Sequence, residues 1–148
     1  MLLLFFFSSP VKLNLQQAMS IFLIVENKKG HNSKWWLYIR VLPTTYDTPA
    51  FWTSNDIQLF SNNLFPRIIK ELKDLQTFYD EVVKFLSYCC DFIISYEDFR
   101  WAWYCINSRS IYYVNDVSSY FQDRNKDIAL APFLDLLNHS TTAVVSKV

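Results

Sequence analysis

The stretch PRIIKELKDLQTFYDEVVKFLSYC, residues 66–89, decides the fold of this 148-residue chain. Its apolar residues recur alternately four and three positions apart, which places them on one face of a single long helix. Because the pattern lasts only about three heptads, it indicates a helix packed inside one domain rather than a coiled coil. The stripe consists of Ile68, Leu72, Leu75, Tyr79, Val82, Leu86 and Cys89.

Two shorter helices are predicted on either side of this one. Residues 13–26 repeat apolar side chains at helical spacing, and Gly30 follows as a natural C-cap. Residues 95–112 open with Ser95 and Asp98, which resemble a capping box. Arg109 lies beside the apolar face of that second helix, so its guanidinium can reach a cleft at the core edge. The apolar faces carry Leu15, Ala18, Phe22 and Val25 in the first helix, and Phe99, Trp103, Ile106, Ser110 and Tyr113 in the second.

The C-terminal part changes character. Residues 115–127 are polar and predict an exposed connection. Residues 128–134 are apolar and suit a short buried strand, and residues 135–140 follow as a tight turn. The fold class is therefore mainly α with a few short strands.

Polar side chains directly after a buried run can point into a site, or they can satisfy the backbone of their own turn. The candidates are Arg109, Asp135, Asn138 and His139.

Composition excludes several classes of protein. The formal net charge is zero without a basic stripe, which argues against direct nucleic-acid binding. A single glycine excludes a P-loop or a Rossmann fingerprint. Three cysteines and two histidines do not predict a zinc site, and the odd cysteine count suits the cytoplasm or nucleus. The apolar residues 1–7 are far short of the roughly 20 needed to span a membrane, so no membrane association is expected.

Four motifs carry a resemblance to a known family. They are E-x3-G-x2-S-x-W-x2-Y-x3-L-P beginning at Glu26, Trp-Ala-Trp at 101–103, Asn-Ser-Arg at 107–109 and APFLDLLNHS at 131–140. Together they resemble the SET-domain protein-lysine methyltransferases related to the Rubisco large-subunit methyltransferase, most closely the branch of the animal SET-domain-containing protein 4. The resemblance covers about residues 12–140, in the family's order.

The resemblance implies methyl transfer from S-adenosyl-L-methionine to a lysine of a protein substrate such as a histone. It implies that Asn138 and His139 contact the cofactor and that Asp135 lines the site beside cofactor or substrate. It also implies that Arg109 reaches the cofactor–substrate cleft. No metal ligand and no catalytic residue are expected in this chain. Tyr113 stands where the family has a basic residue, so a substrate contact there is not carried over.

The resemblance also implies a domain division. Residues 1–11 are an apolar N-terminal segment, and residues 12–148 are a partial SET domain with the helical insert, part of the β core and the Asn-His cofactor turn. The family's Gly-x-Gly segment and its tyrosine-bearing strands have no counterpart in these 148 residues. We therefore expect an incomplete domain, inactive alone. The alternative is a non-catalytic helical remnant that binds a protein partner.

Overall fold

Helices make up most of the part that the computed structural model describes, residues 10–61, 63–112 and 127–137. Two 3-10 turns, Gly30–Asn32 and Pro49–Phe51, connect helices, and two strands, β1 (Ser110–Tyr112) and β2 (Ile128–Leu130), pair antiparallel. The prediction of a mainly α fold with a few short strands is confirmed. The helices are α1 (Leu15–Lys28), α2 (Trp36–Ile39), α3 (Ser54–Gln58), α4 (Phe65–Cys89), α5 (Tyr96–Arg109) and α6 (Pro132–Asp135).

The long helix α4 forms as its periodicity predicts. Ile68, Leu75, Val82 and Leu86 of the predicted stripe are all buried. Leu72, Tyr79 and Cys89, the other stripe residues, are partly buried against the same core. The centre of that core is aromatic, since Phe85 of α4 and Phe99 of α5 are both completely buried. Packing of an amphipathic face, rather than helix propensity, thus holds this helix in place.

Helix α1 is present, and Leu15 and Val25 of its predicted apolar face are partly buried against the core. The prediction was wrong for Phe22. Phe22 is 36% exposed, whereas Gln17 is 1% exposed. The Gln17 amide donates to Glu81 Oε2 at 2.6 Å and to the Phe78 carbonyl at 3.2 Å, both in α4. Gln17 also forms a reciprocal capping box with Asn14. These hydrogen bonds satisfy the Gln17 amide, whose burial without partners would be unfavourable. The side of α1 that carries Gln17 therefore faces the core.

The turn after α1 is held by polar contacts. Gly30 has a φ of 54°, a left-handed conformation that favours glycine at this position. Ser33 donates to Glu26 Oε2 at 2.6 Å, and Lys29 forms an ion pair with the same carboxylate. Hydrogen bonds from Lys29 and then Ser33 lower the pKa of Glu26. Ser33 also accepts from the backbone N–H of Trp35 at 3.0 Å, which fixes the approach to α2.

The end of α5 differs from the prediction. The helix stops at Arg109, and Ser110–Tyr112 form β1 instead of continuing the helix to residue 112. Pairing explains the change, because Ser110 lies opposite Leu130 and Ile111 opposite Ala129 in the two-stranded sheet. Strand β2 is also shorter than the predicted 128–134, since Pro132 occupies the first turn of α6.

Several predicted features fall partly or wholly outside the described residues. Residues 1–9 and 113–126 do so, and they include the apolar N-terminal segment and most of the predicted exposed connection. Asp127, the last residue of that connection, is 7% exposed, so the prediction of exposure was wrong there. Within the described ranges, no helix has the length and apolar character needed to cross a membrane.

Candidate functional site

The candidate site is centred on an ion pair between Arg109 and Asp135. Arg109 Nη1 donates to Asp135 Oδ1 at 2.7 Å, and the two side chains are 25% and 9% exposed. Arg109 is the last residue of α5 and Asp135 the last of α6, and the β1–β2 pairing between these helices brings the two ends together. The hydrogen bond from Arg109 to Asp135 raises the pKa of Arg109. The guanidinium therefore stays charged at any working pH.

The other oxygen of this carboxylate is held by a residue that the sequence did not indicate as part of the site. Tyr38 of α2 donates its hydroxyl to Asp135 Oδ2 at 2.9 Å, and Tyr38 is 8% exposed. Burial, followed by the hydrogen bond to Asp135, raises the pKa of Tyr38. The phenol thus remains a neutral donor. In the sequence, Tyr38 was marked only as the tyrosine of the W-x2-Y part of the motif that begins at Glu26.

A second pair, buried Cys105 and partly buried Tyr46, lies close to Arg109. Tyr46 donates its hydroxyl to Cys105 Sγ at 3.1 Å. Burial is the main cause that raises the pKa of Tyr46 to about 12 and that of the Cys105 thiol to about 11. Among the residues that the structure describes, none forms a hydrogen bond with the buried Arg109 Nε. With a protonated thiol, a neutral phenol and an ion pair, these groups suit binding and orientation, and none of them is an activated nucleophile.

The structure brings two of the four predicted site residues together, and it does not describe the positions of the other two. Arg109 and Asp135 are in direct contact. Asn138 and His139 lie outside the described residues, directly after Leu137. The predicted concave surface of all four side chains therefore stays a prediction. Among the described residues, no group of His, Cys, Asp and Glu has the arrangement of a metal site.

An apolar groove of about 490 Å³ adjoins the ion pair. It runs between α2 and α6, and Tyr38 forms part of its wall, so the groove and the Asp135 carboxylate share one side chain. Several of its apolar side chains are largely exposed, notably Phe133 at 90% and Leu37 at 78%. The lining residues are Lys34, Trp35, Leu37, Tyr38, Val41, Pro132, Phe133 and Leu136.

Comparison with known proteins gives matches over most of the chain. SET domain-containing protein 4 of Artemia parthenogenetica is 30% identical over 128 residues, which cover 86% of this chain and 32% of that protein. The protein of the same name from Homo sapiens is 31% identical over 130 residues, covering 83% and 30%. The chloroplastic ribulose-1,5 bisphosphate carboxylase/oxygenase large subunit N-methyltransferase of Nicotiana tabacum is 27% identical over 128 residues, covering 83% and 24%. This chain is therefore similar to SET domain-containing protein 4 and, at lower identity, to a large subunit N-methyltransferase.

The resemblance read from the motifs is thereby confirmed. The chain spans about a third of the length of the first two relatives, 32% and 30%. No family model matches the chain, and no solved structure matches it. This similarity does not by itself assign a role to Arg109 or Asp135.

Proposed function

We propose that this chain forms part of the cofactor and substrate site of an S-adenosyl-L-methionine-dependent protein-lysine N-methyltransferase. The supporting observation is the Arg109–Asp135 ion pair. Its Asp135 lies three residues before Asn138, the first residue of the Asn-His pair in the family motif. We assign cofactor contact to Asn138 and His139. Arg109 and Asp135 then line the cleft between cofactor and lysine.

The described residues fit such a cofactor chemically. S-adenosyl-L-methionine supplies a methyl group on a sulfonium, which is already an activated leaving group. Among the described residues, each oxygen of the Asp135 carboxylate accepts one hydrogen bond and retains a second acceptor position for an amino or hydroxyl group. The protonated Cys105 thiol, whose pKa is raised to about 11 by burial, does not compete with the lysine for the methyl group.

The chain's own residues then act by orientation and by control of protonation. Donor and acceptor must be held in line within about 3–3.5 Å, and a polar turn fixed from two sides meets that need. A lysine amine that enters beside the Arg109–Asp135 pair meets a partly dehydrated site. Dehydration disfavours the charged form and lowers the pKa of the amine, which favours the neutral nucleophile.

The isolated chain is expected to lack turnover, because none of its 148 residues forms a Gly-x-Gly segment to hold the methionine end of the cofactor. The experiment combines calorimetric titration with S-adenosyl-L-methionine and a labelled methyl-transfer assay on histones. Both are run on this chain and on a chain extended at both ends with the corresponding segments of a relative. Turnover only in the extended chain agrees with the proposal, and equal turnover in both contradicts the expected inactivity.

Variants of the extended chain test the assigned residues. Asn138→Ala and Asp135→Asn are expected to weaken cofactor binding or turnover, since each removes a group assigned to the site. Asp74→Asn, an exposed aspartate of α4, is the matched control and is expected to leave both unchanged. Unchanged cofactor affinity in Asn138→Ala removes that residue from the site. An extended chain that binds no cofactor contradicts the proposed function as a whole.

A non-catalytic role in binding a protein partner is the second candidate. The groove between α2 and α6 favours it, because exposed apolar side chains such as Phe133 and Leu37 are typical of protein contacts. The extended chain distinguishes the two candidates, since only the first requires cofactor binding. For both we propose the cytoplasm or nucleus as the location. The odd number of cysteines agrees with a reducing compartment.

A further inference from the structure

The turn that bears Asp135 has few apolar anchors. Phe133, Leu134, Leu136 and Leu137 are 90%, 50%, 59% and 71% exposed. Side chains that keep half or more of their surface in water contribute little to fixing a segment. By contrast, the Asp135 side chain is only 9% exposed. The polar contacts of its carboxylate are therefore the firmest attachment of this turn to the helices.

Two different helices make those contacts. Arg109 at the end of α5 donates a hydrogen bond to Asp135 Oδ1, and Tyr38 in α2 donates one to Asp135 Oδ2. A carboxylate with a single donor can pivot around it, whereas donors on both oxygens define the orientation of its plane. Tyr38 is the more rigid of the two, because its ring is buried and a tyrosine has only two rotatable side-chain torsions.

Helix α2 is itself tied to the core. Trp35, just before it, makes an edge contact with Phe22 of α1 at a centroid distance of 5.8 Å. Ser33 joins the preceding turn to buried Glu26. A continuous set of contacts thus runs from α1 through α2 to Tyr38 and on to Asp135.

We propose that Tyr38 is a positioning residue that fixes the Asp135 turn, and through it the place of the Asp135 carboxylate in the proposed cofactor and substrate site. The expected effect of Tyr38 on cofactor binding rests on the proposed function. The positioning itself is a property of the ligand-free protein. The two parts can therefore be tested separately.

The first test is amide hydrogen exchange of residues 133–137 in this chain, followed by NMR. Tyr38→Phe removes only the hydroxyl and is expected to speed exchange there roughly tenfold, as loss of a charge-assisted hydrogen bond permits. The matched control is Tyr79→Phe, which removes the 3.0 Å hydrogen bond to the Ile94 carbonyl in another part of the core. That control is expected to leave exchange in 133–137 unchanged.

The second test is the affinity of the extended chain for S-adenosyl-L-methionine. Tyr38→Phe is expected to raise the Kd about tenfold, while Tyr79→Phe leaves it unchanged at a similar loss of thermal stability. Exchange in 133–137 that is the same in Tyr38→Phe and wild type overturns the positioning role. Faster exchange with an unaltered Kd overturns its link to the cofactor and substrate site. Faster exchange in an extended chain that binds no cofactor supports the positioning and contradicts only the proposed function.

Discussion

A double-mutant cycle across Arg109 and Asp135 tests whether this ion pair holds the site together. Arg109→Met and Asp135→Asn remove the charges while keeping most of each side chain's volume. Solvent-exposed ion pairs contribute about 0–1 kcal/mol to the free energy of unfolding. Breaking a fully buried ion pair lowers that free energy by about 3–5 kcal/mol. With a 2.7 Å contact and side chains 25% and 9% exposed, this pair lies between those limits. We therefore expect a coupling free energy of about 1.5–3 kcal/mol.

The assay is urea unfolding of the four proteins in the cycle, monitored by circular dichroism. The chain offers a matched control in Lys28 and Asp98, which form an ion pair at 3.3 Å with side chains 42% and 39% exposed. A parallel cycle with Lys28→Met and Asp98→Asn is expected to give a coupling below about 1 kcal/mol. The reasoning is refuted when the Arg109–Asp135 coupling is no larger than that of the exposed pair.

Three further predictions concern stability, pH and thiol reactivity. Gln17→Ala is expected to lower the free energy of unfolding by about 2–4 kcal/mol, because it removes the hydrogen bonds from α1 to α4. The control Gln16→Ala is expected to lower it by under about 0.5 kcal/mol. Urea unfolding measures both changes. The Glu26 pKa is lowered from 4.5, so the stability advantage of wild type over Glu26→Gln is full above that pH. It is expected to fade as the pH falls through the folded-state pKa, and unfolding measured across acidic pH checks this. Cys105, buried with its pKa raised to about 11, is expected to react with iodoacetamide at least about 100-fold more slowly than exposed Cys90, measured by mass spectrometry. Equal rates contradict its burial.

Periodicity predicted the parts of the fold that depend on local pattern. In α4 the stripe from Ile68 to Leu86 repeats often enough that only one face can be buried, and the structure has that face inside. The face of α1 was not predictable in the same way. Gln17 is buried because Phe78 and Glu81, more than 60 positions away, satisfy its amide. A pattern of apolar residues does not register a polar side chain whose partners are distant in sequence.

The site was predictable only where a motif or a helix end marked it. Arg109 was proposed from its place beside the apolar face of α5, and Asp135 from its place after an apolar run that the sequence predicted to be buried. Tyr38 was missed as a site residue, because its partner Asp135 lies 97 positions further along the chain. The strand Ser110–Tyr112 was missed for a related reason. Its pairing with Ile128–Leu130 is a long-range contact that overrides the local preference for helix.

That strand pairing accounts for the geometry of the ion pair. Ser110 lies opposite Leu130, so Arg109, the residue before the strand, is placed beside the start of α6. A shift of the register by one residue would move every side chain of β1 to the other face of the sheet. It would also carry the guanidinium away from a carboxylate that Tyr38 holds independently from α2. The 2.7 Å contact thus goes with the register of a three-residue ladder, while a tyrosine on a separate helix binds the other oxygen of the same carboxylate. This is why neither the helix pattern nor the Asp135 motif alone defines the site.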